Sequence, residues 1–158
     1  MPLSVDELPV LIGRITMNFQ ALEQVVSMAV WKAIGDEEIV GEILTAEMSF
    51  RNRVNAFQSL SIYRIEEETH SDKGRLAELN VIVKEAGSIE ETRNRYIHSL
   101  WTIAEPDGGL ERIKVTAKKR HTVQQEQVTE EQFSELSARI RRLIHRIGAF
   151  SDLTLQTT

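Results

Sequence analysis

None of the 158 residues is cysteine. A disulfide framework, thiolate catalysis and a cysteine-based zinc site are therefore excluded, and the composition fits a reducing compartment. Long apolar runs are also missing. No stretch approaches the roughly 20 residues a membrane helix needs. The start, MPLSVDELPVL, lacks the basic segment and apolar run of a signal peptide. A soluble, cytoplasmic protein with no membrane partner is expected. There is no phosphate-binding glycine loop and no GxSxG motif. The four histidines are far apart and none has the His-x-x-x-His spacing of a helical zinc pair. No metal site and no cofactor are expected.

What is present is an ordinary globular composition, with 41% apolar and 27% charged residues. The length suits one domain with one core, placed at residues 1–150, with 151–158 as a flexible tail. The net charge of −5 is unevenly spread. Met1 to Thr92 holds eight Lys/Arg against sixteen Asp/Glu, and Arg93 to Thr158 holds eleven against eight. An acidic total argues against a general nucleic-acid binder, while the basic second half permits a local anionic site. Unequal solvated helix faces would give the same split.

Ser4-Val5-Asp6-Glu7 has the capping-box pattern. Leu11, Ile15, Phe19, Leu22, Val26 and Val30 then recur at helical spacing, and a long helix is expected to end near Gly35. Asp36 is placed to cap a short helix through Ile39, Ile43 and Leu44. Met48 to Ile65 reads as a third helix, with Glu66-Glu67-Glu68-Thr69-His70-Ser71 as a loop and Asp72 as the next cap. The fourth helix runs from about Lys73 through His98, on a stripe of Leu76, Leu79, Val83 and Ala86 flanked by Ile82, Ile89 and Tyr96. The period then changes to two. The runs around Leu100–Ile103 and Leu110–Ala117 flank Pro106-Asp107-Gly108-Gly109, which reads as a β-hairpin over about 100–118. KKRHTVQQEQ reads as a loop or frayed strand. Thr129-Glu130-Glu131-Gln132 is a second capping box, opening a last helix through Phe133, Leu136, Ile140, Leu143, Ile144 and Ile147, with Gly148 expected to end it. The fold class is all-α, a bundle of four to five helices with a β-hairpin inserted before the last one.

The end of the fourth helix, ETRNRYIHSLW, is unusual. On a helix His98 shares a face with Asn94, Glu91, Gly87 and Lys84. That face holds no large apolar residue, so His98 points away from the core. Arg93 lies about 140° round the helix from it, within reach of a long side chain or placed to act across an interface with a second subunit. The chemistry is coherent. An imidazole takes and gives protons near neutral pH, and a guanidinium matches phosphate oxygens. Together they suffice to cleave RNA, with His98 assisting attack by the ribose 2′-hydroxyl and Arg93 stabilising charge on the phosphate. DNA lacks that hydroxyl. Asn94 orients the histidine or the phosphate. Against this, a histidine on a polar helix face is most often only a surface residue. The loose Arg…His spacing also recurs at Arg64/His70 and Arg139/His145. Spacing alone decides nothing; Asn directly after Arg93 and the place at a helix end set this instance apart.

Arg93-Asn94-Arg95-Tyr96-Ile97-His98 resembles the R-N-x-x-x-H form of the motif of HEPN domains (higher eukaryotes and prokaryotes nucleotide-binding). The run Phe19-Gln20-Ala21-Leu22-Glu23 is similar to the first helix of many bacterial members. The resemblance implies an all-α bundle that acts as a homodimer, with two motif helices forming one composite site for metal-independent RNA cleavage. It implies a toxin or antiviral role, and for toxin members an antitoxin partner, commonly a small nucleotidyltransferase. Arg93, Asn94 and His98 would be catalytic; Arg95 and Tyr96, beside them in the sequence, are expected to support these residues or to contact the substrate. The inserted hairpin departs from a minimal bundle and leaves the subfamily open. Other members keep the fold as non-catalytic modules that dimerise and bind a nucleotide or a protein, and that alternative stands beside the enzyme. In a third reading the chain is a helical scaffold in which His98 is incidental.

A basic cluster follows the motif: Arg112, Lys114, Lys118, Lys119, Arg120 and His121. It either guides RNA through phosphate contacts or is the solvent face of a hairpin. Arg139, Arg141, Arg142, His145 and Arg146 form a second run, which a helix C-terminus favours in any case. Trp101 and Tyr96 have rings able to stack on bases, but packing of the hairpin onto the bundle or a dimer interface also uses such rings.

Overall fold

A computed structural model describes residues 3–35, 38–69, 72–103, 110–116 and 122–153. The element order is α1 (Glu7–Ile34), α2 (Glu38–Ala46), α3 (Phe50–Thr69), α4 (Lys73–Ile97), β1 (Leu100–Ile103), β2 (Leu110–Thr116), β3 (Thr122–Gln127) and α5 (Glu130–Phe150). This is a helical bundle with a small antiparallel sheet before its last helix.

Local chemistry sets the helix ends. The Ser4 hydroxyl donates to the Glu7 carboxylate at 2.8 Å, the Ser4 N–H donates to it at 3.0 Å, and the Glu7 N–H returns a bond to Ser4 Oγ at 3.3 Å. The capping box therefore forms as expected and covers the turn ahead of α1. At the other end Gly35 takes φ 111°, and its N–H reaches the carbonyls of Lys32 and Trp31. A side chain would strain this left-handed position. Asp36 lies outside the described residues. Asp72 caps α4, accepting from the N–H groups of Gly74 at 2.8 Å and Arg75 at 3.1 Å. Thr129 and Gln132 complete the second capping box at the start of α5.

Two boundaries differ from expectation. α3 continues through Glu66, Glu67 and Glu68 to Thr69, in place of the expected loop. An i,i+4 pair between Arg64 and Glu68 at 3.4 Å bridges this acidic last turn. α5 runs past Gly148, which is buried within the helix. Its end comes after Phe150, whose carbonyl accepts from Arg75 at 3.3 Å. Asp152 then takes a left-handed φ of 54°. The residues 154–158 of the expected tail are outside the described set.

The core fills from the expected stripes. Ile15, Leu22 and Val26 of α1, Leu79 and Ile89 of α4, and Ile140 of α5 are each 0% exposed. α1 packs along α3 and α5, and α4 packs along the same two helices, so α1 and α4 lie diagonally across the bundle. The directions follow from paired contacts. Phe19 meets Phe50 at 4.7 Å and Arg64 reaches the carbonyl of Ala33, so α1 and α3 run parallel. Arg139 pairs with Glu85 and Arg146 with Glu78, so α5 opposes α4. α3 starts level with Phe19 and, through Arg51–Glu90 at 3.3 Å, with Glu90. α4 extends beyond that level to Ile97. Its last turns, with Arg93, Asn94 and Ile97, therefore have no α3 beside them.

The sheet has order β1-β2-β3. Trp101 faces Arg112 across the first pair, and Arg112 faces Glu126 across the second. β3 occupies the second half of the stretch that reads as a loop or frayed strand. All six of its residues are exposed, so it has no need of the apolar alternation that marks a half-buried strand.

α2 shows its apolar residues to solvent: Ile39 is 74% and Ile43 70% exposed. Its inner face is small. Gly41 lies against Trp31, whose indole N–H donates to Thr45 at 3.0 Å. A Cβ at position 41 would stand 2.2 Å from Trp31 Cδ1 and 2.9 Å from its Cβ. Gly41→Ala is expected to destabilise the protein by about 1–3 kcal/mol despite alanine's higher helix propensity. Urea unfolding monitored by tryptophan fluorescence measures this.

Candidate functional site at the end of helix α4

Helix α4 stops where side chains from beyond it replace its missing hydrogen bonds. The last carbonyls of a helix have no internal donors. Here the His98 N–H still reaches the Asn94 carbonyl at 3.0 Å. The Ser99 hydroxyl donates to the Arg95 carbonyl, and the Trp101 indole N–H donates to that of Tyr96 at 3.3 Å. The helix thus ends at Ile97, one residue short of the expected His98, which becomes the C-cap with φ −100° and ψ 14°.

The motif residues take different directions. Arg93 turns inward and lies half-buried, its guanidinium carbon 4.9 Å from the centre of the Phe19 ring. Its NH1 donates to Asn94 Oδ1 at 2.9 Å. Its Nε is buried with no hydrogen-bond partner. Asn94 is half-buried and His98 is exposed. Asn94 therefore orients the arginine rather than the histidine. Arg93 and His98 are not brought together within one chain, as their separation round the helix implies.

The expected substrate contacts divide. Arg95 is exposed and pairs loosely with Glu91 at 3.8 Å. Lys114 is exposed on β2. Lys118, Lys119 and Arg120, with His121, lie outside the described residues. Tyr96 corrects the expectation that its ring meets substrate: it is 7% exposed and stacks on Phe133 with centroids 4.7 Å apart. It fills the space between α4 and α5, and its face is closed to a base. Trp101, half-buried, lies 6.1 Å from the same Phe133 ring and joins the sheet to the bundle.

The basic runs change meaning in three dimensions. Arg112 is 5% exposed and paired to Glu126, so it does not belong to a solvent-facing cluster. In the second run Arg139 pairs with Glu85 at 2.8 Å, Arg142 with Glu135 at 2.7 Å, and Arg146 with Glu78 at 2.7 Å. These arginines tie α5 to α4 and to itself. No sequence signal marks Phe19 as the partner of Arg93, since two residues so distant in the chain meet only through the fold.

A cavity of about 270 Å³ lies at the opposite end of the bundle, lined by Phe57, Arg64, Arg75 and Phe150 among others. Its two arginines already cap the carbonyls of Ala33 and Phe150. The chemistry-bearing residues are at the α4 end, and we place the candidate site there. Among the described residues no group of three or more His, Asp or Glu is arranged to hold a metal ion. No described helix is long and apolar enough to cross a membrane. Comparison with protein-family models, curated proteins and solved structures returns no significant match.

Burial raises the Tyr96 hydroxyl above the ordinary tyrosine range, and the nearby Glu126 charge adds to it. The folded state thus holds this proton more tightly than the unfolded chain. Stability from this source is complete below the ordinary pKa of about 10 and falls as pH rises past it. Tyr96→Phe is expected to flatten that alkaline decline, read from urea midpoints of both proteins between pH 8 and 11.

Proposed function

We propose that the chain is a metal-independent endoribonuclease of the HEPN type, acting as a homodimer in a toxin or antiviral role. The observation that carries the reading is the Arg93-Asn94…His98 set at the end of α4. There an exposed imidazole follows an arginine and its asparagine, on turns that α3 leaves uncovered.

The chemistry runs in three parts. His98, as the neutral imidazole, takes the proton of a ribose 2′-hydroxyl. The oxygen attacks the adjacent phosphorus, and Arg93 offsets the charge that builds on the phosphate oxygens. The 5′-oxygen leaves and takes up a proton, giving a 2′,3′-cyclic phosphate and a 5′-hydroxyl. Arg93 of one copy would serve with His98 of the other, because within one helix they diverge. Exposed Arg95 and Lys114 would contact phosphates on the approach, as would Lys118, Lys119 and Arg120. An antitoxin protein is the expected partner of a toxin of this kind, and the cytoplasm its place of action.

One observation favours a second reading, a non-catalytic helical module that dimerises and binds a nucleotide or a protein. Arg93 is already engaged by Phe19 and Asn94, as a structural arginine would be.

Cleavage of a mixed RNA pool in EDTA separates the two. Wild type is expected to leave 2′,3′-cyclic phosphate ends. His98→Ala, confirmed folded by circular dichroism, should lose about 10²-fold or more of the rate. An all-deoxy substrate should stay intact. A wild type inactive at every concentration would leave the binding module. Equal cutting by both proteins would remove His98 from the mechanism.

A further inference from the structure

The three-stranded sheet does more than extend the chain between α4 and α5. Arg112 is the only charged residue among the buried polar side chains of the described residues, at 5% exposed. It sits in a strand whose later members Lys114 and Val115 are open to solvent. Its guanidinium is fixed on two sides. NH2 donates to Glu126, its register partner on β3. NH1 donates to Ser99 Oγ at 3.3 Å. The Ser99 hydroxyl donates its own proton to the Arg95 carbonyl, at the last turn of α4.

Ser99 directly follows His98, and Trp101 holds the Tyr96 carbonyl at 3.3 Å. His98 has itself left the helical conformation. Its backbone is thus set by the Asn94 carbonyl on one side and by the Ser99 anchor on the other. A guanidinium locked by a carboxylate presents its remaining donors in a fixed plane, which is what a rigid anchor for a single turn requires.

We propose that Arg112 is a positioning residue for His98, acting through Ser99, with Glu126 holding its guanidinium in place. The inference takes the role of His98 from the reading above, but the geometry it claims is testable without that reading. The inserted sheet then serves to fix the direction of the imidazole that follows α4.

The experiment uses the full-length protein with three substitutions. Arg112→Met keeps the bulk and removes the donors, Ser99→Ala removes only the relay, and Arg112→Lys restores a cation beside Glu126 and Ser99. Each is measured by NMR of the histidine ring protons and by RNA cleavage kinetics. Arg112→Met and Ser99→Ala are expected to move or broaden the His98 ring signals while those of His145, on α5, stay in place. kcat should fall about tenfold or more with KM unchanged, as a displaced catalytic group predicts, and Arg112→Lys should recover part of both. If Arg112→Met disrupts the sheet, Ser99→Ala decides alone. Unchanged His98 signals and kcat in Ser99→Ala overturn the proposal. If wild type does not cleave RNA, the ribonuclease reading fails by itself, and the ring signals still decide whether Arg112 positions His98.

Discussion

The stack of Tyr96 on Phe133 fixes the geometry on which the rest of the molecule depends. The rings lie 4.7 Å apart at 24°. Tyr96 is the last buried residue of α4 and Phe133 the first of α5, so this contact sets the register of two opposed helices. The Glu85–Arg139 and Glu78–Arg146 pairs follow along the same seam. Trp101 packs against Phe133 and donates to the carbonyl of Tyr96, which places the sheet at the same point. One aromatic cluster thus joins the end of α4, the start of the sheet and the start of α5. The orphan carbonyls of α4 meet their donors because the cluster puts strand β1 beside them.

Arg93 is held by a different balance. A guanidinium over a phenyl ring contributes about 0.5–1 kcal/mol when exposed and about 2 kcal/mol when desolvated. A buried donor left unpaired costs about 1–3 kcal/mol. The two nearly cancel, so an arginine gains little here that a leucine or methionine would not supply. The unpaired Nε is not distinctive by itself, since Arg53 and Arg112 carry the same feature. What distinguishes Arg93 is its place on the turns of α4 that extend past the start of α3, with an asparagine bound to its NH1.

The parts of this arrangement readable in the sequence are those with local causes. Both capping boxes, the cap at Asp72 and the core stripes of α1, α4 and α5 follow from short-range chemistry. The change of period after His98 announces the sheet. The third strand reads only as a loop or frayed strand because Thr122–Gln127 buries no face, and a strand without a buried face has no alternation. α2 is legible as a helix, but its packing is not. Its apolar residues suggest a buried side, whereas the tight contact is made by Gly41 and Thr45 against Trp31. At the candidate site, the motif and the exposure of His98 are legible. The inward turn of Arg93, the closure of Tyr96 and the burial of Arg112 depend on contacts with Phe19, Phe133 and Glu126, which no local pattern encodes.

The separation of Arg93 from His98 bears on how a site at this end would be assembled. On one helix the two side chains leave about 140° apart. Bringing Arg93 round to its own His98 would break the contact with Phe19 and the bond to Asn94. The first contributes about 0.5–2 kcal/mol and the second about 0.5–1.5 kcal/mol, while release of the buried Nε–H to water returns about 1–3 kcal/mol. Bringing up the end of a second α4 leaves both in place. It asks that the interface offset a cost of association of about 4–15 kcal/mol, at turns of α4 that lie beyond the start of α3. On the ribonuclease reading, the divergence of Arg93 and His98 round one helix is therefore a geometric reason, rather than an energetic one, for setting Arg93 of one chain beside His98 of another.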